Sequence, residues 1–425
     1  MTPSPGRRSS LATLLVACVF VLLGAAGIGW AQTLEPPPPT PVPIPGGGTS
    51  PSPFPSVLRT PAPGRLEPPE VGAASAVLMD LDSGQVLYAL DATAKRPIAS
   101  LTKIMTAYLV MSRTSPTDVV TVSDEAASGR VVGISGLGLV PGETIRVQQL
   151  LYALLLQSAN DAAVALAEQV SGTEDAFVAT MNRTAVRLGM IRTRFTSPNG
   201  LDDTGYSTAR DLARITRAAY GLPGFASIAA TRFHTIPAPD GVARVLQNRN
   251  ALLWLYPGAI GVKTGYTSAA GFCVVATADR GDQRLLAVVL GEPGEPFSDA
   301  AALLNYGFAA FDRRSLIAAG EDLGTVEVDG RVVQVAAGAS LRGLVPTGAH
   351  IRREIVVDPS VRFPPGRDQQ IGTVSLSVPG LVLGEVPLMV TDVAPPPELE
   401  DASWWTRALG SVAHAGGALV DALFG

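Results

Sequence analysis

Histidine and cysteine are almost missing from this chain. His234, His350 and His414, with Cys18 and Cys273, are all it has in 425 residues. The histidines stand far apart with no ligand spacing between them, so a zinc site is not expected and a histidine-dependent catalytic triad has no support. Cys18 lies in an N-terminal apolar run. If that run is removed a single thiol is left, which excludes a disulfide framework and a cysteine-built metal site. No metal and no other cofactor is therefore expected. Charge is also sparse: 16% of residues are charged, the net charge is −5, and lysine and arginine are dispersed, so nucleic acid is not an expected partner. Any hydrolytic chemistry has to find a base other than histidine.

What the chain does have is apolar residues, 47% of the total over a length that buries one large core and a second. Residues 1–31 combine Arg7 and Arg8, an apolar run from Leu11 to Ile28, and small residues ending at Ala31. That is the pattern of a secretory signal and implies export, with an uncleaved signal-anchor as the alternative. Residues 32–70 are dense in proline around Gly46-Gly47-Gly48 and read as an extended polyproline II spacer. Within 71–315, Ala76–Leu81 and Gln85–Leu90 flank Asp82-Ser83-Gly84 and predict a β-hairpin. Helical spacing follows over 143–171, 174–188 and 207–219, and Gly271–Ala278 and Leu285–Leu290 predict buried antiparallel strands. Residues 316–393 alternate short β-branched runs with Gly, Pro and Asp and predict a small all-β region. The tail, 394–425, carries Trp404-Trp405, Leu409, Val412, Leu419-Val420 and Leu423-Phe424 at three- and four-residue steps. This is an amphipathic helix suited to a membrane surface, or to docking on the β region.

The chemistry concentrates in Ser100-Leu101-Thr102-Lys103, ahead of the apolar run Ile104–Val110. At the first turn of a buried helix this spacing sets a hydroxyl and an amine on one face. A lysine kept neutral by burial or by a neighbouring cation can take the serine proton. Free N–H groups at a helix start lie where an oxyanion would form. Alone the tetrapeptide is weak, since S-x-x-K arises by chance about once in a few hundred positions, and the plain alternative is an N-capping serine. Two further sets change the balance. Ser158-Ala159-Asn160 interrupts the helical spacing between apolar faces, either as a helix break with Ser or Asn as N-cap or as a rigidly placed hydroxyl and amide. Lys263-Thr264-Gly265-Tyr266 precedes the buried strands, with Lys263 expected at the start of a strand bordering the cleft.

In order and rough spacing, Ser100-x-x-Lys103, Ser158-x-Asn160 and Lys263-Thr264-Gly265 resemble the motifs of the penicillin-recognising serine enzymes. The similarity extends to Ala99–Thr106, Ser158–Ala162 with Asp175–Val178, Asn199-Gly200-Leu201-Asp202 and Ala269–Phe272. It is closest to the low-molecular-mass D-alanyl-D-alanine carboxypeptidases, from about residue 72 to 393 and most specifically up to Phe311. The resemblance implies an α+β fold: a transpeptidase-like domain of antiparallel sheet and helices with an all-helical lobe, then a small all-β domain and a C-terminal amphipathic anchor. It implies Ser100 as nucleophile and Lys103 as base, with Ser158 and Asn160 relaying a proton and holding the substrate amide. Lys263 and Thr264 would face the terminal carboxylate, and the N–H groups of Ser100 and Tyr266, beside Gly265, would bind the oxyanion. Lys263 would also lower the Lys103 pKa. Implied partners are peptidoglycan stem peptides and, as inhibitors, β-lactams, together with the outer face of the cytoplasmic membrane through the tail, the N-terminus being a second candidate contact.

One position departs from the pattern. Family members often carry an arginine where this chain has Pro296, and no lysine or arginine occurs between Arg284 and Arg313. Two rival readings use the same scaffold: a serine β-lactamase, which needs a deacylating carboxylate such as Glu168 or Glu174, and a non-catalytic wall-binding protein.

Overall fold

The structure is a computed structural model and describes residues 67–128 and 135–393. The expected signal segment, almost all of the proline-rich spacer and the amphipathic tail lie outside the described residues. Strands β1 (Ser75–Asp80) and β2 (Val86–Leu90) form the expected hairpin, and Gly84 takes the left-handed conformation its turn requires, φ 79°. Two short antiparallel ladders follow, β3 (Val119–Thr121) with β4 (Thr144–Arg146) and β5 (Phe233–Ile236) with β6 (Arg244–Gln247). The hairpin then joins β7 (Ala259–Thr267), β8 (Gly271–Arg280) and β9 (Gln283–Glu292) in one antiparallel sheet of order β2-β1-β9-β8-β7. β7 is thus an edge.

Both faces of this sheet are covered. Val77, Met79, Val275, Leu286 and Val288 enter one core, while Ala76, Leu78, Val274, Ala276, Leu285 and Ala287 enter another. The period of two sends successive side chains to opposite cores, and with each face covered the strand sequences become continuously apolar. On the first face lie α1 (Lys103–Met111), α2 (Asp124–Ser128), α3 (Val147–Tyr152), α4 (Asn160–Ser171), α5 (Glu174–Arg187), α6 (Ala209–Tyr220) and α7 (Phe225–Ala230), while α8 (Leu252–Leu255) sends Leu252 into the second core. On the second lies α9 (Pro296–Ala310), with Pro296 at its first turn, where a missing N–H costs nothing. Helix α1 buries Ile104, Met105, Ala107, Leu109 and Val110 and so is apolar nearly all round, as a helix surrounded by others must be. Thr173 and Thr208 cap α5 and α6 by accepting from the N–H groups of Ala176 and Asp211.

The remaining strands are β10 (Phe311–Ile317), β11 (Asp322–Val328), β12 (Arg331–Ala337), β13 (Leu341–Pro346), β14 (Arg352–Val357), β15 (Gln370–Val378) and β16 (Leu381–Val393). β10 pairs with β13, and the others form a sheet of order β11-β12-β16-β15-β14 around Val333, Val335, Ile371, Val374, Leu376, Leu388 and Val390. Polar contacts of Gln85 and Arg313 tie this region to the first hairpin. The Gln85 amide donates to Leu344 O at 2.9 Å and accepts from its N–H at 3.2 Å, and Arg313 meets the buried Asp80 carboxylate at 2.6 Å. Among the described residues no helix is long and apolar enough to cross a membrane.

Candidate active site

The S-x-x-K tetrapeptide straddles a change of helix type. Ala99–Thr102 is a 3₁₀ turn and Lys103 opens α1, so Ser100 precedes the α-helix rather than lying inside its first turn. Ala99 is held in the left-handed region, φ 45°. This strained link lets the chain arrive from Ile98 and still point Ser100 outward. Ser100 is half-buried while Lys103 is fully buried. Lys103 Nζ lies 3.0 Å from Ser100 Oγ, 2.7 Å from Asn160 Oδ1 and 2.7 Å from Asn199 O. A neutral amine has two N–H donors and one lone pair, so the two short contacts use both donors and leave the lone pair for the Ser100 hydroxyl. Burial pushes the Lys103 pKa from 10.5 down to about 7, the Arg249 guanidinium adds to the shift, and the Asp161 carboxylate opposes it. A base poised near neutrality suits proton abstraction from serine.

Asn160 reaches this amine because of an irregular segment before it. α3 runs into a π turn, Ala153–Gln157, and the chain leaves it at Ser158 in the left-handed conformation, φ 65°. π turns of this kind accompany functional positions. The N-cap of α4 is Ala159, without a side-chain cap, so neither Ser158 nor Asn160 caps the helix. Ser158 is buried, and its hydroxyl has no hydrogen-bond partner among the described residues. Asp161, next along, is 1% exposed and accepts from the backbone N–H groups of Leu137, Gly138 and Leu139 at 2.8–3.2 Å. Ser135 O accepts from Asn160 N at 2.9 Å. The loop over 135–139 is therefore bound to the motif segment by backbone amides.

Lys263 lies in the interior of β7, four residues past its start, not at the strand's beginning. It is 1% exposed, and its Nζ donates to Thr264 O at 2.7 Å. Burial, then Lys103 and Arg249, hold its pKa well below the ordinary lysine value. The repulsion between the amines thus falls on Lys263, the expected lowering of Lys103 comes from burial and Arg249 instead, and Arg249 depresses both. Period two puts Lys263 and Gly265 on one face of β7. A Cβ at Gly265 would stand 3.0 Å from Ser100 N, 3.2 Å from Ile98 O and 3.3 Å from Ala99 Cβ. The edge strand thus presses its backbone on the turn that carries Ser100. Thr264 is half-buried and Tyr266 exposed, its ring tilted on Phe272 at 4.6 Å.

Three contributors were not singled out as site residues from sequence. Asn199 acts through its carbonyl, which no residue type announces. Gly200 beside it is obligatory, because at φ 78° a Cβ would fall 2.0 Å from Ala99 O. Asp161 was visible beside the motif, but its loop partners are remote in the chain. Arg249 carries no motif; Asn248 and Asn250 around it, polar residues in an otherwise apolar stretch, were the available signal. The glutamates weighed as deacylating carboxylates lie elsewhere. Glu168 accepts from Ser123 Oγ at 2.7 Å, and Glu174 is crowded by Glu125, Glu168 and Asp175.

A serine hydroxyl against a buried amine, an amide bridging to that amine, and a second amine from an edge strand define the serine acyl-transfer enzymes of the S-x-x-K type. Residues 63–294 match the family model described as D-alanyl-D-alanine carboxypeptidase. The D-alanyl-D-alanine carboxypeptidase DacF of Bacillus subtilis is 33% identical over 330 residues, 74% of this chain and 84% of that protein. DacC of Escherichia coli is 34% identical over 349 residues, 77% of this chain and 85% of its own. Penicillin binding protein 5 from Haemophilus influenzae superposes with a TM-score of 0.67 at 32% identity, covering 77% of this chain and 99% of that one. The chain belongs to the D-alanyl-D-alanine carboxypeptidase family.

Gly265→Ala tests the contact between the strand and the Ala99–Thr102 turn. Two of the three close atoms are backbone, so the turn or the strand must move by several tenths of an ångström. Acylation by a labelled penicillin is expected to slow about 100-fold, with the thermal unfolding midpoint nearly unchanged. An unchanged acylation rate would show that the contact does not set the geometry of Ser100.

Proposed function

We propose that Ser100 is the nucleophile, and Lys103 the base, of a serine-type D-Ala-D-Ala carboxypeptidase that acts on peptidoglycan pentapeptide stems. The observation that carries this is the 3.0 Å contact between Ser100 Oγ and the lone-pair position of a fully buried Lys103 whose pKa is about 7. Oγ attacks the carbonyl carbon of the penultimate D-alanine and its proton passes to Lys103 Nζ. The oxyanion faces the N–H groups of Ser100 and Tyr266. As the C–N bond breaks, the proton moves to the departing amine, with the unpartnered Ser158 hydroxyl as relay, and free D-alanine leaves. Water then gives a proton to Lys103, attacks the ester and releases Ser100. Asn160 orients the base and the substrate amide. Lys263 and Thr264 meet the carboxylate end, whose negative charge returns Lys263 toward its protonated form. A penicillin acylates the same hydroxyl by opening its lactam ring.

Export and attachment to the outer face of the membrane complete the reading. The basic and apolar N-terminal segment and the amphipathic tail with Trp404-Trp405 support it. The experiment is release of D-alanine from diacetyl-Lys-D-Ala-D-Ala by the purified protein, alongside its reaction with labelled penicillin. Steady D-alanine release with a long-lived penicilloyl adduct is expected. Rapid nitrocefin turnover without D-alanine release would instead make it a β-lactamase, and neither activity would make it a binding protein.

A further inference from the structure

Three consecutive backbone N–H groups converge on one side chain beside the Ser158 motif. Leu137 N lies 2.9 Å from each carboxylate oxygen of Asp161, and Gly138 N and Leu139 N reach Oδ2 at 2.8 and 3.2 Å. Ala162 N, in the first turn of α4, donates to Oδ1 at 2.8 Å. An ionised carboxylate accepts on both oxygens and donates nothing, so among short side chains it alone suits these N–H groups together. Gly138 takes the left-handed conformation, φ 77°, that such a run of amides aimed at one anion requires. Gly136 has to be bare, because a Cβ there would stand 3.2 Å from Oδ2 and 3.5 Å from the carboxyl carbon. Asp161 is 1% exposed and Leu139 fully buried. The arrangement is therefore closed to outside ligands and serves the protein's own geometry.

The loop held in this way leads to the base. Ser135 O accepts from Asn160 N at 2.9 Å, and Asn160 Oδ1 accepts from Lys103 Nζ at 2.7 Å. Two hydrogen bonds thus separate the loop from the amine. A second clamp grips the loop further on: Arg244 donates to Gly138 O at 3.1 Å and meets Glu143 at 2.5 Å, and Glu143 accepts from Val140 N at 3.2 Å. That clamp belongs to β6, whereas the Asp161 clamp sits on α4, one residue past Asn160. Asp161 is also an anion among cations. Its carboxylate raises the Lys103 pKa against burial and Arg249, and it acts on Arg244 as well. Lys263, on β7, is itself lowered by Lys103 and Arg249.

Resting on the reading of Ser100 as nucleophile and Lys103 as base, we propose that Asp161 is a positioning residue for acyl transfer, latching the 135–139 loop to α4 so that Asn160 stays against the Lys103 amine. Two substitutions separate the latch from the charge. Gly136→Ala sets a methyl group against the carboxylate and keeps its charge. Asp161→Asn removes the charge and turns an amide donor on the N–H groups. The rate of acylation by a labelled penicillin is followed against pH, well below the unfolding midpoint of each protein. Asp161→Asn is expected to lower the plateau above the Lys103 pKa roughly 30-fold. Its acid limb should also move to lower pH, because the group that raises the Lys103 pKa is gone. Gly136→Ala is expected to lower the plateau roughly fivefold with the limb in place. A plateau within about twofold of wild type in Asp161→Asn would overturn the proposal. So would a lowered plateau whose limb stays put or moves to higher pH, the mark of a residue that serves the fold alone. Where Asp161→Asn does not fold, Gly136→Ala decides: a lowered plateau at an unchanged unfolding midpoint supports the proposal and an unchanged plateau overturns it. A wild type that no penicillin acylates would remove the reading of Ser100 itself, and this proposal with it, a result separate from any loss confined to the variants.

Discussion

Ser100→Ala is expected to abolish D-alanine release and covalent penicillin labelling, lowering kcat/KM at least ten-thousand-fold, roughly the scale on which loss of a serine nucleophile acts. The loss is large because nothing in the site can replace the hydroxyl. Lys103 Nζ lies behind it, committed to Asn160 and Asn199, and Ser158 belongs to a separate segment entered from the π turn. Ser100 is half-buried and its Oγ contributes one 3.0 Å contact, so the variant should unfold within a degree or two of wild type and still bind substrate non-covalently. Mass spectrometry after incubation with penicillin decides the matter. An adduct of full stoichiometry on Ser100→Ala would move the nucleophile elsewhere.

Lys103→Met is the second large effect, and its signature is in pH. Removing a general base costs on the order of a thousandfold in acylation. In the wild type, the acylation rate should rise about tenfold per pH unit below 7 and level off above it, because the pKa of about 7 marks where the amine becomes a proton acceptor. The variant should show no such limb. Stability follows the same group with a definite sign. The Lys103 pKa is lowered in the folded protein, so between about 7 and the ordinary 10.5 the unfolded chain holds a proton that the folded one has shed. Stability then rises with pH across that window, and below it the folded state bears the full cost of a buried ammonium. Relative to Lys103→Met, wild type should therefore gain stability from pH 7 to pH 10. A pH-independent difference in unfolding midpoint, with an acylation limb surviving in the variant, would exclude Lys103 as the base.

Much of this was legible along the chain. The hairpin at 75–90, the helices after 160, 174 and 209 and the paired strands from 271 to 292 follow from apolar spacing and turn chemistry, which are local. Ser100, Lys103, Ser158, Asn160 and Lys263 stood out because side-chain chemistry was written in their residue types. Less visible were the features built from backbone. The 3₁₀ turn at Ala99–Thr102 and the π turn at Ala153–Gln157 have compositions that suit an ordinary helix, and their geometry is imposed by what packs on them. The sequence also led to Lys263 as the cation acting on Lys103, whereas in the structure burial comes first and the cation is Arg249. Burial is a property of the whole core around α1, not of any tetrapeptide.

By itself, then, the sequence determined which chemical groups were available: a serine and two amines, an amide and a hydroxyl, beside three scattered histidines and two cysteines whose spacing announces neither a triad nor a metal site. Only the tertiary structure decided their state. Whether Lys103 holds a proton depends on how much water the surrounding helices exclude and on an arginine 146 positions away in the chain. The close approach of β7 to Ser100 N depends on Gly265 having no side chain. Dielectric surroundings and close approach are three-dimensional quantities, so residues distant in sequence set them together.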